Sequence, residues 1–159
     1  MAGEFGHVSL DEQGPPCPCG NRGCWERYAS NSAAVRYYVD GAGGSGAPAG
    51  ASSLTFDDLL RLHAGGDARA TQALQRMAHF LGLGLAGLAT GLAPEAIVIV
   101  GEVTQAWGLV GPIVDDVVRR RALPNAETRI VPTDPAMQPR LRGAATLVIQ
   151  QHFGAPNVA

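Results

Sequence analysis

The chain has 159 residues, of which 46% are hydrophobic and 16% charged, too apolar for a disordered polymer and enough to build one domain or a large part of one. A net charge of -2 and a pI near 6.0 exclude a global electrostatic attraction for nucleic acid, which begins with clustered basic residues neutralising phosphates. The opening MAGEFGHVSL lacks a basic stretch and a long apolar core, and the most apolar run, FLGLGLAGLATGLAP, meets Gly82, Gly84, Gly87, Gly91 and then Pro94 before it reaches about 20 bilayer residues, so no signal peptide, no membrane contact and a soluble, cytoplasmic chain are expected.

The first informative stretch is GHVSLDEQGPPCPCGNRGCWE, which contains His7 and every cysteine of the chain, Cys17, Cys19 and Cys24. Three thiols cannot all pair within one chain, which weakens a disulfide reading. Zinc takes four thiolate and imidazole ligands in a tetrahedron, and such a closed set stiffens a loop that has little secondary structure. His7 and the three cysteines supply that set. Gly14, Gly20 and Gly23 allow the turns that a short Cys-Pro-Cys clip needs, and Pro15, Pro16 and Pro18 reduce the entropy lost on closing the loop. The alternative on spacing alone is a surface loop with reactive thiols and an unrelated histidine. His63, His79 and His152 fall in helical patterns and read as solvated or packed side chains.

CWERYASNSAAVRYYV is helix-forming, with Trp25, Tyr28, Val35 and Tyr38 as apolar anchors and a break or new cap at Ser30 to Ser32. Residues 40–53, DGAGGSGAPAGASS, cannot bury a core and read as a flexible loop. SLTFDDLLRLHAGG carries helix punctuation, with Ser53 or Thr55 as N-cap, acids in the first turn and glycines at the end. In the long helix that follows, Ala73, Met77, Phe80 and Leu81 open an apolar face, and its four glycines permit close approach of a neighbour. EAIVIVGEVTQAW predicts a strand over Ile97 to Val100, apolar throughout as in a strand buried on both faces, and ended by Gly101. A helix from Trp107 or Leu109 to Arg121 turns Val114, Val117 and Val118 inward. Its closing Arg119, Arg120 and Arg121 suit the helix dipole better than a nucleic-acid patch. TRIVPTD is a second short strand, and PRLRGAATLVIQQHF closes the chain as an amphipathic helix.

GEFGH, nine intervening residues and then CPCGNRGCWE resemble the signature of the ROK family (repressors, open reading frames and sugar kinases), written G-H-x9-C-x-C-G-x2-G-C-x-E. The resemblance implies a structural Zn2+ on His7, Cys17, Cys19 and Cys24 beside a sugar pocket. It also implies that Glu4 and Glu26 accept hydrogen bonds from hexose hydroxyls, while the second ring nitrogen of His7 faces a hydroxyl. Carboxylates suit that task because their several lone pairs take vicinal hydroxyls in charge-assisted bonds. Without the resemblance, Glu4 reads as solvated and Glu26 as a charge favouring a helix N-terminus.

The implied fold is α/β, namely the C-terminal half of an actin-like (ribonuclease H-like, ASKHA) fold with a zinc-binding loop. The resemblance spans residues 1–159 but only the later half of the family, so an incomplete domain is expected. Neither a D-x-G-x-T phosphate loop nor the aspartate that takes the sugar hydroxyl proton is found in this sequence, nor is a helix-turn-helix, so this chain alone is expected to be no enzyme and to make no direct contact with nucleic acid. Gly101 falls at the family's nucleotide-loop position. Its neighbours Val100 and Glu102 stand where a kinase is glycine-rich, and a carboxylate there repels phosphates unless a metal intervenes, so ATP with Mg2+ is not the expected cofactor. The resemblance is therefore to the effector-binding module of a sugar-responsive transcriptional regulator, a homo-oligomer (dimer or tetramer) taking a sugar or sugar phosphate. The alternative is the C-terminal fragment of an ATP-dependent, glucokinase-like sugar kinase.

Overall fold

The computed structural model describes residues 3–41, 54–123, 128–134 and 146. After a 3-10 turn at Phe5–His7 and a long loop come α1 (Glu26–Ala29), α2 (Asn31–Asp40), α3 (Phe56–Ala64) and α4 (Ala68–Leu92). β1 (Ala96–Ile99), a 3-10 turn at Glu102–Ala106, α5 (Trp107–Arg121) and β2 (Arg129–Pro132) follow. The expected flexible loop, from residue 42 onward, and the expected closing helix lie outside the described residues, apart from helical Thr146. Asp40 still belongs to α2, with Gly41 as its C-cap.

The helix boundaries follow local chemistry. Ser30 takes an extended conformation, ending α1, and its hydroxyl accepts from the Ala33 N–H to start α2. Serine can satisfy an orphan donor in this way, which is why one helix-forming stretch becomes two. Thr55 opens α3 in a reciprocal capping box: its hydroxyl accepts from the Asp58 N–H, and the Asp58 carboxylate accepts from the Thr55 N–H at 2.9 Å. Thr55→Ala is expected to cost about 1 kcal/mol, read as a lower urea midpoint with an unchanged slope.

Asp67 caps α4 by accepting from the Ala70 N–H at 2.9 Å, and it also accepts from the Tyr38 hydroxyl at 3.3 Å. The Ala70 N–H, with help from Arg69 and Tyr38 and against partial burial, holds the Asp67 carboxyl below the usual range. The Thr55 hydroxyl and N–H, with Arg61, do the same for Asp58. A carboxyl lowered by folding contributes stability that is complete above its unfolded value, about 3.9, and is lost as pH falls through the lower folded value. Stability should therefore decline on acidification through that window, and Asp67→Asn should shallow the decline.

α4 forms the centre of the core. Ala70, Ala73, Leu74, Met77 and Ala78 are buried along its first half, and Leu59 from α3 and Val110 and Val114 from α5 are fully enclosed with them. Phe80 and Leu81 lie on the flank of this face, where Phe80 stacks on Tyr28 with centroids 4.7 Å apart. Two of the four glycines serve close approach. A Cβ on Gly82 would stand 2.7 Å from the Val117 Cβ, and one on Gly84 would meet the Trp25 ring. Gly87 and Gly91 have open space beside them and line an apolar groove with Phe5, Val8, Leu88 and Leu92, so close packing does not account for these two.

β1 and β2 pair in parallel, Ala96 opposite Arg129 through Ile99 opposite Pro132, with α5 as the crossover. The expectation of a strand buried on both faces is corrected. Val98 is 56% exposed and Val100 40%, whereas Ile99 is buried and Ile97 packs against the core. Strand side chains alternate, and among the described residues the helices pack on the Ile97 and Ile99 side. Gly101, at φ +117°, leaves the strand in a conformation that favours glycine, and Thr104 closes the turn by donating its hydroxyl to the Gly101 carbonyl at 2.8 Å.

Candidate metal centre

The loop between the first 3-10 turn and α1 is shaped by a few backbone bonds. Trp25 N–H donates to Val8 O and Leu10 N–H to Gly23 O, each at 2.8 Å, with an isolated antiparallel bridge between Ser9 and Cys24. A second bridge, Pro16 with Arg22, carries a turn in which Cys17 N–H donates to Asn21 O and Gly20 N–H to Cys17 O. Gly23, at φ +62°, faces Asp11 so closely that an added Cβ would collide with its carbonyl. These turns fold the two arms of the loop together and bring Cys17 and Cys19 beside Cys24.

His7 reaches the same point from the first 3-10 turn. One ligand atom from each of His7, Cys17, Cys19 and Cys24 lies within 4.8 Å of the other three. The Cys19 and Cys24 sulfurs are 3.5 Å apart, and His7 Nδ1 is 3.6 Å from the Cys17 sulfur. A tetrahedron with Zn–S about 2.3 Å and Zn–N about 2.0 Å has edges of about 3.8 Å between sulfurs and about 3.5 Å from nitrogen to sulfur. Donor set and spacing therefore fit zinc. All three cysteines are free thiols; Cys17 and Cys24 are buried and Cys19 is exposed.

The thiols are electrostatically coupled. The Cys19 N–H pulls the Cys17 thiol down, but burial, the Glu26 carboxylate and the neighbouring sulfurs outweigh it and push it up to about 12. The Asn21 N–H holds Cys19 below its ordinary value, whereas burial raises Cys24. A cation among these sulfurs displaces protons and favours the thiolate form.

Glu26, the first residue of α1, borders the cluster. Its Oε1 accepts from the Cys17 thiol at 3.1 Å and lies 3.5 Å from His7 Nδ1. Glu4 Oε2 lies 4.0 Å from His7 Nε2, on the other side of the ring. The Glu4 side chain is 61% exposed, that of Glu26 41% and that of His7 34%. The structure thus brings Glu26 and Glu4 to opposite ring nitrogens of a partly exposed His7, and Glu26 also occupies the helix N-terminus that its charge favours. His63 instead pairs with the Thr71 hydroxyl at 2.9 Å and His79 meets Phe80 edge-on; His152 lies outside the described residues.

Two contacts that support the site have no signal in the sequence. Trp25 Nε1 donates to the Phe80 carbonyl at 2.8 Å, pinning the start of α1 to α4. Asn31 donates to Glu102 at 3.1 Å across 71 residues of sequence. No spacing rule links such distant positions.

The ROK family model matches residues 1–151. The xylose repressor of Bacillus spizizenii is 28% identical over 155 residues, covering 96% of this chain and 38% of the repressor. Two crystal structures superpose closely. One is a ROK family transcriptional regulator homologous to the MLC protein of E. coli, with TM-score 0.77 and 29% identity over 94% of this chain and 38% of that one. The other is a ROK family glucokinase from Streptomyces griseus in complex with glucose and AMPPNP, with TM-score 0.78 and 28% identity over 92% of this chain and 51% of that one. The chain belongs to the ROK family. It is a partial ROK domain of the actin-like α/β class with a small parallel sheet, spanning about 38% of the length of the xylose repressor, and its Cys3His cluster is consistent with the family's zinc motif. No helix among the described residues is long and apolar enough to cross a membrane.

Proposed function

We propose that the chain is the sugar-binding portion of a ROK transcriptional regulator, in which a structural zinc on His7, Cys17, Cys19 and Cys24 orients the residues that hold a hexose-type or related sugar. The observation that carries this reading is the position of His7, whose Nδ1 faces the thiols while Nε2 faces Glu4. A ring fixed by a metal through Nδ1 has one tautomer and one orientation, so Nε2 keeps its proton and donates it to a sugar hydroxyl. Glu4 and Glu26 then accept from neighbouring hydroxyls on either side of the imidazole. The metal supplies rigidity, and recognition belongs to the imidazole and the two carboxylates.

Glu102 favours the regulator over a kinase. It follows Gly101 at the carboxyl end of β1, the edge of a parallel sheet where ligands bind, and its carboxylate repels a triphosphate placed there. Gly101 itself, exposing backbone at φ +117°, is the residue through which a nucleotide would approach, and it is the feature that keeps the kinase fragment as the second reading. We further infer a homo-oligomer, dimer or tetramer, in the cytoplasm with a sugar or sugar phosphate as effector.

The test is calorimetric titration of the zinc-loaded chain with D-xylose, D-glucose and glucose 6-phosphate. Glu26→Gln, which keeps the shape and removes the charge, is expected to weaken the best of these roughly tenfold or more, with about one zinc per chain retained and a much smaller effect on the thermal midpoint. Unaltered affinity would remove Glu26 from the sugar site. Hexose-dependent ATP consumption by the full in-frame polypeptide would turn the assignment to the kinase.

A further inference from the structure

α1 has four half-buried residues and none fully buried, so the Tyr28 ring stacked on Phe80 shares the task of aligning Glu26 with polar bonds from outside. Trp25 Nε1 holds the start of α1 to the Phe80 carbonyl. The Tyr37 hydroxyl donates to the Tyr28 carbonyl at 3.0 Å, and the Arg36 guanidinium donates to the Arg27 carbonyl. Both of those bonds run from α2, so α2 shares with α4 in positioning α1, and the two helices meet at the extended Ser30.

α2 is in turn attached to the sheet at its first residue. The Asn31 side-chain amide donates to Glu102 Oε2 at 3.1 Å, with both residues half-buried. Glu102 is held from its other side by the backbone. It follows Gly101, whose positive φ fixes the exit from β1, and it opens the 3-10 turn that Thr104 ties back to the Gly101 carbonyl. A hydrogen bond to a carboxylate is stronger than one between neutral groups, and here each partner stands at a defined turn or helix start.

We propose that Asn31 and Glu102 are positioning residues that latch the Glu26-bearing helix pair to the turn after β1, so that occupancy of the sugar site is felt at residues 101–106 and at the start of α5. The proposal rests on the sugar reading above for the nature of the ligand, but the latch itself is a property of the chain and is open to test without ligand. Glu102 acquires a second role here. The carboxylate that disfavours phosphate at the sheet edge is also the acceptor that fixes α2.

The experiment compares the zinc-loaded chain with Asn31→Ala, Asn31→Asp and the double variant Asn31→Asp with Glu102→Gln, by amide hydrogen exchange and by sugar titration. Asn31→Asp sets two carboxylates against each other; the double variant restores a donor and an acceptor with their order reversed. Without sugar, exchange at residues 26–31 is expected to quicken severalfold in Asn31→Ala, more in Asn31→Asp, and to return toward the parent rate in the double variant. Rates in Asn31→Ala equal to the parent, or a double variant no slower than Asn31→Asp, would overturn the latch. With whichever of D-xylose or D-glucose binds, Asn31→Ala should weaken affinity roughly three- to tenfold, and the protection that sugar confers on residues 101–106 should disappear. Binding without any such protection in the parent chain would overturn the coupling. Failure of the parent to bind either sugar would sink the sugar reading, while exchange in the ligand-free variants would still decide the latch.

Discussion

Cys24→Ser is expected to reduce zinc from about one ion per chain to a small fraction of that, and to release the loop between His7 and Trp25 from its folded form. Cys24 is fully buried, and its sulfur lies 3.5 Å from that of Cys19. A serine hydroxyl is a poor zinc ligand at neutral pH, and three ligands rarely close a structural site. Apart from a metal, the loop is held by two isolated bridges, a few backbone hydrogen bonds and the Ser9 hydroxyl that donates to the Arg22 carbonyl at 2.7 Å. Metal-binding free energy is therefore folding free energy for this segment. Elemental analysis, with protease susceptibility at residues 8–23, gives the readout. Chelation of zinc from the parent should reproduce the variant. A Cys24→Ser chain that retains stoichiometric zinc and an intact loop would remove Cys24 from the ligand set. Because the Cys17 thiol stands up at about 12, metal uptake releases protons and retention should weaken progressively as pH falls.

Gly84→Ala carries the second large effect, opposite in sign to what helix propensity alone predicts. Alanine is better than glycine inside a helix by about 1 kcal/mol, and Gly84 lies well inside α4. The added methyl, however, would occupy the space of the Trp25 indole. That ring cannot simply swing aside, because its N–H is bonded to Phe80 O and its backbone lies between Cys24 and Glu26. We expect a net loss of about 1–3 kcal/mol, seen as a lower urea midpoint, together with weaker sugar binding. Gly87→Ala, three residues on with open space beside it, is the control and should be neutral or stabilising. Equal behaviour of the two variants would show that Trp25 is not clamped against α4.

The contrast between these two glycines shows what a single sequence makes legible. Both lie in the same apolar run and have the same spacing logic; only the arrival of Trp25 from a segment some sixty positions earlier distinguishes them. The caps at Ser30 and Thr55 were legible because their donors and acceptors lie within three residues; Asp67 has the same local geometry and was not singled out. The Cys3His cluster was legible for a related reason, since His7 and the cysteines sit in one short segment; composition left a loop of reactive thiols open, and the resemblance to the family signature is what implied zinc. β1 shows the limit. Its unbroken apolar run predicts cover on both faces, yet Val98 is exposed, because cover depends on which other elements reach the sheet. The Asn31 to Glu102 bond lies beyond the same limit, for nothing local marks either residue as the other's partner.

The central claim is that one metal ion binds His7 and the three cysteines and so fixes the imidazole that faces the sugar. Zinc-edge X-ray absorption on reduced, purified chain, combined with elemental analysis, tests it most directly. The account predicts about one zinc per chain, with three sulfurs at about 2.3 Å and one nitrogen at about 2.0 Å. A chain that purifies without metal, or a zinc surrounded by oxygen and nitrogen alone, would contradict it.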